Sequence, residues 1–159
     1  MNKNDVFATR NESGFSKAED AAEKYFSKFD GLLYLRYGFD QIKSQIPVDK
    51  WMSIPQFVRC SPDYVTVYNN KFNFVEVKGC LDKVKIKLTD FMEYGKWAGL
   101  TNLKIFIHSS SSGSIYILKY EELLNHISQE VNDFGRYKDN SRLYFEIPLE
   151  NLSRFKKCL

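Results

Sequence analysis

SPDYVTVYNNKFNFVEVKG, residues 61–79, reads as two short strands joined by a tight polar turn. Asp63 to Tyr68 and Phe72 to Lys78 are rich in β-branched and aromatic residues, which suit a pleated surface. Asn69 and Asn70 supply the turn, because Asn tolerates positive φ. With a two-residue loop placed at Asn70 and Lys71, Val65 faces Glu76 and Asp63 faces Lys78. Side chains alternate along a strand, so Asp63, Val65 and Val67 share a sheet face with Phe74, Glu76 and Lys78. A three-residue loop would turn Asp63 to the opposite face; the two-residue register is the one adopted.

Two carboxylates and an ammonium on a mostly apolar pleat require a reason, since ionised groups are rarely buried without partners. One is a structural salt bridge between Asp63 and Lys78 at a solvated strand end. The other is a hard-cation site, with oxygen ligands from Asp63, Glu76 and the Val77 carbonyl around Mg²⁺ at about 2.0–2.1 Å and several waters retained. Lys78 would then stand beside a metal-bound water.

Pro62-Asp63 followed by Glu76-Val77-Lys78, with thirteen residues from aspartate to glutamate, resembles the PD-(D/E)xK nuclease superfamily. The resemblance implies an α/β, restriction-endonuclease-like core in the order αβββαβ, with a mixed central sheet flanked by helices. It also implies Mg²⁺ or Mn²⁺ as cofactor, with Asp63, Glu76 and the Val77 carbonyl as ligands and Lys78 beside them. Many members carry a further acidic residue on the first helix, and Glu19 suits that role better than Glu23.

The flanking sequence follows the implied order over residues 15–108. Ser16-Lys17-Ala18-Glu19 is a capping-box pattern, and Ala18, Ala22, Tyr25 and Phe29 recur at helical spacing up to Gly31. Glu19 is thus equally well read as the capping partner of Ser16, and Glu23 as a surface residue. Leu32 to Tyr37 is the first strand. Residues 38–60, with Pro47 and Pro55, form a long connection with a helical turn around Lys50 to Met52. Within it Trp51 and Phe57 read as packing residues, while Lys50 and Arg59 are phosphate-contact candidates.

After the hairpin, Lys83-Val84-Lys85-Ile86-Lys87-Leu88 alternates strictly, which sets three lysines on one face of an extended segment. Such a row is either a solvated, aggregation-resistant strand face or a phosphate track leading to the site. Thr89 is positioned to cap a helix over Asp90 to Ala98 closed by Gly99. On that helix Lys96 is another backbone-contact candidate. Some exonucleases of the superfamily carry Gln-x-x-x-Tyr here; Tyr94 is present but Asp90 stands in the glutamine's place, so the assignment is not carried over. Leu103 to His108 and Ser114 to Leu118 read as strands, Tyr120 to Val131 as a helix, Leu143 to Ile147 as a strand and Leu149 to Phe155 as a terminal helix. His108 and His126 read as structural.

At 159 residues the chain suits one domain, a core at 15–108 with C-terminal additions at 109–159. A hydrophobic content of 43% and a charged content of 27% are those of a globular protein, and the net charge of +3 permits a polyanionic partner. Cys60, Cys80 and Cys158 lack CxxC spacing, which points away from a disulfide framework or a metal–thiolate cluster. Nothing has signal-peptide or membrane-span character, so an intracellular, cytoplasmic protein without membrane contact is expected.

The expected function is metal-dependent hydrolysis of phosphodiester bonds, with Asp63, Glu76, Lys78 and Glu19 as catalytic residues and Lys83, Lys85, Lys87 and Lys96 on nucleic acid. Lys78 would position or help deprotonate the water. At this length the resemblance points to a structure-selective DNA endonuclease such as a junction resolvase, which acts as a homodimer. The competing reading is a non-catalytic nucleic-acid-binding module that retains the fold.

Overall fold

Asn69 and Asn70 take φ of 49° and 59°, so the hairpin closes in the two-residue manner that requires positive φ at both central positions. In the computed structural model, which describes residues 17–39, 45–129, 133–138 and 141–157, this turn joins β2 (Tyr64–Tyr68) to β3 (Lys71–Cys80). Tyr68 pairs with Lys71 and Val65 with Phe74. The turn therefore sits one residue earlier than Asn70 and Lys71, and the pairing slides by two. Extending the ladder sets Asp63 across from Glu76 rather than Lys78. A slip of two residues keeps every side chain on its face, so Asp63, Glu76 and Lys78 remain together.

The hairpin lies within a six-stranded sheet of order β1-β2-β3-β5-β6-β9. Here β1 is Leu33–Arg36, β5 Asn102–Ser109, β6 Ile115–Lys119 and β9 Lys156–Lys157. β3 runs parallel to β5 and the other pairs are antiparallel, so the sheet is mixed. Parallel neighbours need a crossover. It consists of β4 (Lys83–Lys87) and helix α4 (Leu88–Leu100). Thr89 lies inside this helix, with Lys87 at the cap position, and Gly99 is still helical.

Helices cover both sheet faces. On one, Leu103, Ile105 and Ile107 of β5 meet Phe91, Tyr94 and Trp97 of α4 and Leu123 of α5 (Tyr120–Gln129). On the other, Tyr64, Val75, Val77 and Phe106 pack on Ala18, Ala22 and Phe26 of α1, residues 17–26. Phe29 was expected on this helical face, but the helix ends at residue 26 and Phe29 is 40% exposed in the turn beyond. Ser16, the capping residue, and Val131 lie outside the described residues.

The additions after β5 do two things. β6 and β9 widen the main sheet, while β7 (Asp133–Arg136) and β8 (Leu143–Pro148) join β4 in a second sheet of order β4-β8-β7. Val84 and Ile86 point into the core with Phe145 and Ile147, which leaves Lys83, Lys85 and Lys87 on the outer face. The segment Leu149–Phe155 is a 3₁₀ helix rather than an α-helix. The long connection holds two short helices, α2 (Val48–Ser53) and α3 (Gln56–Arg59). Among the described residues no helix is long and apolar enough to cross a membrane.

Candidate active site

Asp63 sits where β2 begins, and its position is fixed from three directions. Its backbone carbonyl accepts from the Tyr37 N–H at 2.8 Å, just past the end of β1. Gly38 passes so close that a Cβ there would meet the Pro62 carbonyl oxygen at 3.2 Å. Its side-chain Oδ2 accepts from the Val77 N–H at 2.7 Å, taking the place of a strand carbonyl where the β2 ladder has stopped. The N–H and C=O of one strand residue face the same neighbour, so the Val77 carbonyl opens toward the same gap. Asp63 and Val77 thus present oxygen atoms at one end of the hairpin.

Glu76 is the next residue on β3, only 6% exposed. A buried carboxylate without partners costs several kcal/mol, and this one has two. Lys78 Nζ and the Tyr94 hydroxyl each lie 2.7 Å from the same oxygen, Oε1. Burial alone would lower the Lys78 pKa; the charge of Glu76, with Tyr94, Asp63 and Asp90 behind it, outweighs burial and raises it well above the ordinary lysine value. Lys78 is therefore held as a cation. The Tyr94 phenol is likewise raised, by burial first and then by Glu76.

Helix α4 forms the back wall. Phe91, Tyr94 and Trp97 recur on its buried side, and Trp97 is fixed by stacking on Phe57, with ring centroids 4.5 Å apart, and by donating to the Phe57 carbonyl at 3.2 Å. The Cys60 thiol is pushed up to about 11, first by burial and then by the charges of Asp90, Glu93 and Glu76. Tyr94 was not assigned from the sequence. The available signal was its place on the apolar face of α4: a buried phenol needs an acceptor, and Glu76 is the carboxylate on the strand beneath.

Glu19 forms an ion pair on the α1 side. Its Oε2 lies 2.8 Å from Arg36 Nη1, and Glu23 Oε1 receives Arg36 Nε at 2.8 Å and the Tyr64 hydroxyl at 2.8 Å. This cluster belongs to the α1 side of the sheet, since Tyr64 alternates with Asp63. Among the described residues no three Asp, Glu, His or Cys side chains come together as a metal-holding group. Asp63 and Glu76, across from one another on one sheet face, and the Val77 carbonyl offer hard oxygen atoms, the donor type that Mg²⁺ or Mn²⁺ takes together with several waters.

The lysine row is partly neutralised. Lys83 and Lys85 lie 3.0 and 3.3 Å from the two carboxylate oxygens of Glu146 on β8. Lys87 is 3.9 Å from Asp90, and Lys96 is 2.6 Å from Glu93. Lys85 also stands 4.7 Å over the Tyr144 ring. His126 is buried in the core and His108 lies on β5.

The order of strands and the hairpin-borne site can now be set beside known structures. Archaeoglobus fulgidus Hjc, a Holliday junction resolvase from an archaeal hyperthermophile, is similar over 87% of this chain and 87% of its own, with a TM-score of 0.52 and 12% identity. The fold is restriction-endonuclease-like. A nuclease from a fusselovirus is similar over 86% of this chain and 80% of its own, with a TM-score of 0.44 and 10% identity. No family model and no curated protein sequence matches the chain. In this core Glu76 and Lys78 stand on β3, Asp63 immediately precedes β2, and α4 backs them.

Proposed function

We propose that the protein is a metal-dependent nuclease that hydrolyses phosphodiester bonds, acting on DNA as a structure-selective endonuclease such as a junction resolvase. The observation that supports it most is the convergence of Asp63, Glu76 and Lys78 at one end of one sheet face, with Lys78 Nζ 2.7 Å from Glu76. A divalent cation bound by Asp63, Glu76 and the Val77 carbonyl would supply Lewis acidity and lower the pKa of a bound water. Asp63 is oriented by the Val77 N–H, which its Oδ2 accepts at 2.7 Å. Tyr94 and Lys78 fix the Glu76 carboxylate. The Lys78 ammonium, held charged, stabilises negative charge as it develops on the phosphoryl oxygens.

The wider surface extends this reading. Lys83, Lys85, Lys87 and Lys96 are the candidate contacts to the nucleic-acid backbone, with Glu146, Asp90 and Glu93 setting how much of their charge is available. Cutting both strands of a symmetric junction calls for a homodimer. Glu19, paired to Arg36 at the end of β1, is the acidic residue of α1 that would complete the metal shell through water.

Cleavage of a four-way junction, linear duplex, single strand and RNA with Mg²⁺ or Mn²⁺ tests the proposal. Metal-dependent cutting that disappears in Glu76→Gln and in Lys78→Met is the expected result, and the preferred substrate identifies the branch. Nucleic-acid binding without cutting, and without Mn²⁺ binding, would replace the proposal with a non-catalytic binding module.

A further inference from the structure

The sheet face opposite Asp63 and Glu76 is only partly covered by α1. Beyond Phe26 it opens into a cavity of about 570 Å³ between the hairpin, β5, β6 and the C-terminal 3₁₀ segment, a size that suits a small organic ligand. Its lining combines three kinds of group. Phe29 and Tyr68, 40% and 39% exposed, present rings on the wall with centroids 6.4 Å apart. Thr66 and Asn73, a directly paired couple of β2 and β3, put a hydroxyl and an amide on the floor. Lys104, Lys119 and Lys157 line the remaining side.

The lysines are the unusual part. Lys104 and Lys119 are opposite one another on β5 and β6, a like-charge placement that destabilises a sheet. Burial, with Lys119, Lys157 and Lys71 adding to it, holds the Lys104 pKa below the ordinary lysine value. No Asp or Glu among the described residues forms an ion pair with any of the three. The nearby Glu122 caps the start of α5 by accepting the Lys119 N–H at 2.7 Å, and Arg154 adds another cation to the lining.

We infer that this cavity is a second binding site, and that it takes a nucleoside phosphate. Phosphate charge satisfies the three ammonium groups, an aromatic base lies against Phe29 and Tyr68, and its polar edge meets Thr66 and Asn73. The Asn73 amide nitrogen already donates to the Lys71 carbonyl at 3.4 Å, but a lipid tail would leave the Thr66 hydroxyl facing hydrocarbon, which is costly, and a lone phosphate would leave the rings unused. The nucleoside phosphate is either a free nucleotide or an unpaired nucleotide of a strand, because base–aromatic stacking needs an unstacked base.

Calorimetric titration of the full chain tests this. Carried out in the Glu76→Gln background with chelator present, it keeps the Asp63 side of the sheet out of the measurement. The four deoxynucleoside monophosphates are compared with the nucleosides, inorganic phosphate, an eight-nucleotide single strand and phosphatidylserine vesicles. The expected result is that at least one monophosphate binds tenfold or more tighter than its nucleoside or phosphate. Lys104→Met and Lys119→Ala should each weaken it at least tenfold, and Thr66→Val should change the preference among bases. Lys104→Met should melt no lower than the parent, since a like-charge contact is removed. Tighter binding of the strand than of the monophosphate assigns the site to a strand nucleotide, and equal or weaker binding to a free one. The inference is overturned if no nucleotide probe binds, if phosphate alone or vesicles alone bind, or if Lys104→Met folds normally and binds unchanged.

Discussion

The Tyr94 hydroxyl and the Glu76 carboxylate lie 2.7 Å apart in the interior, and this bond ties helix α4 to the central strand. It joins the element that completes the crossover to the residue proposed to hold the cation. Tyr94→Phe removes one donor from a buried, charged acceptor without changing shape, at a cost of about 1–3 kcal/mol. Turnover should fall by roughly 10–100-fold, the usual effect of losing a partner behind a metal ligand. Thermal melting and single-turnover cleavage check both effects, and unchanged values for both would contradict the assignment.

Lys78 and Glu76 are coupled, so their substitution energies should not add. Lys78→Met leaves Glu76 buried with Tyr94 as its remaining partner and should destabilise by about 3–5 kcal/mol. Glu76→Gln with Lys78→Met removes the pair and should regain most of that loss while staying inactive. A double variant no more stable than Lys78→Met would show that the pair is not coupled in the way its 2.7 Å separation indicates.

Glu146 holds Lys83 and Lys85 together, with contacts of 3.0 and 3.3 Å. Glu146→Gln frees two cations on the outer face of the second sheet at little cost, since exposed pairs contribute about 0–1 kcal/mol. If the row contacts a phosphate backbone, duplex affinity should rise several-fold and its salt dependence should steepen. Fluorescence anisotropy at two salt concentrations reads this, and unchanged affinity would take the lysine row out of the proposed interface.

How much could be read in advance depended on the range of the interaction. The hairpin, its asparagine turn and the face shared by Asp63, Glu76 and Lys78 follow from local chemistry and a period of two, and they were readable. The register was misplaced by two residues because Asn69 and Asn70 both accept positive φ, and sequence alone did not choose which pair forms the turn. The second sheet was hidden for a different reason: β4 meets β8 from Lys83↔Pro148 to Lys87↔Tyr144, and no local pattern announces a pairing over that separation. The partner of Glu146 was hidden with it. Phe29 was misassigned because the apolar period runs on after the helix has ended.

Glu23 is held below the ordinary carboxylate range by the hydrogen bond from Tyr64, burial opposing it, and by Arg36. A lowered folded-state pKa contributes stability above the unfolded value, near 4.5, and loses it as pH falls through the folded value. The side chain is 34% exposed, so solvent screening limits this to about 1 kcal/mol at most. Native protein should therefore melt above Glu23→Gln at pH 7, and the gap should narrow as pH falls below 4.5. A gap that persists into acid would assign the difference to packing instead.

Cys60 and Cys80 are both pushed up to about 11 from 9.0, chiefly by burial. The thiolate is the reactive form, so each should alkylate about a hundredfold more slowly at pH 8 than a thiol of ordinary pKa. Peptide-resolved mass spectrometry after a timed iodoacetamide pulse measures the two sites separately. Rapid labelling of either in the folded protein would overturn the burial argument.

The parallel pairing of β3 with β5 also fixes the order in which the chain can acquire its chemistry. The hairpin closes locally, on the scale of about 1–10 μs, and brings Asp63 and Glu76 onto one face by itself. Glu76 gains Ile105 as its neighbour, and Tyr94 as its donor, only after residues 81–101 have folded back across the sheet. Non-local, parallel closure is the slow part of folding. A chain emerging from the ribosome thus displays its two acidic groups early and in water, and the buried, tyrosine-bonded arrangement of Glu76 arrives only when the helix and β5 close over the strand.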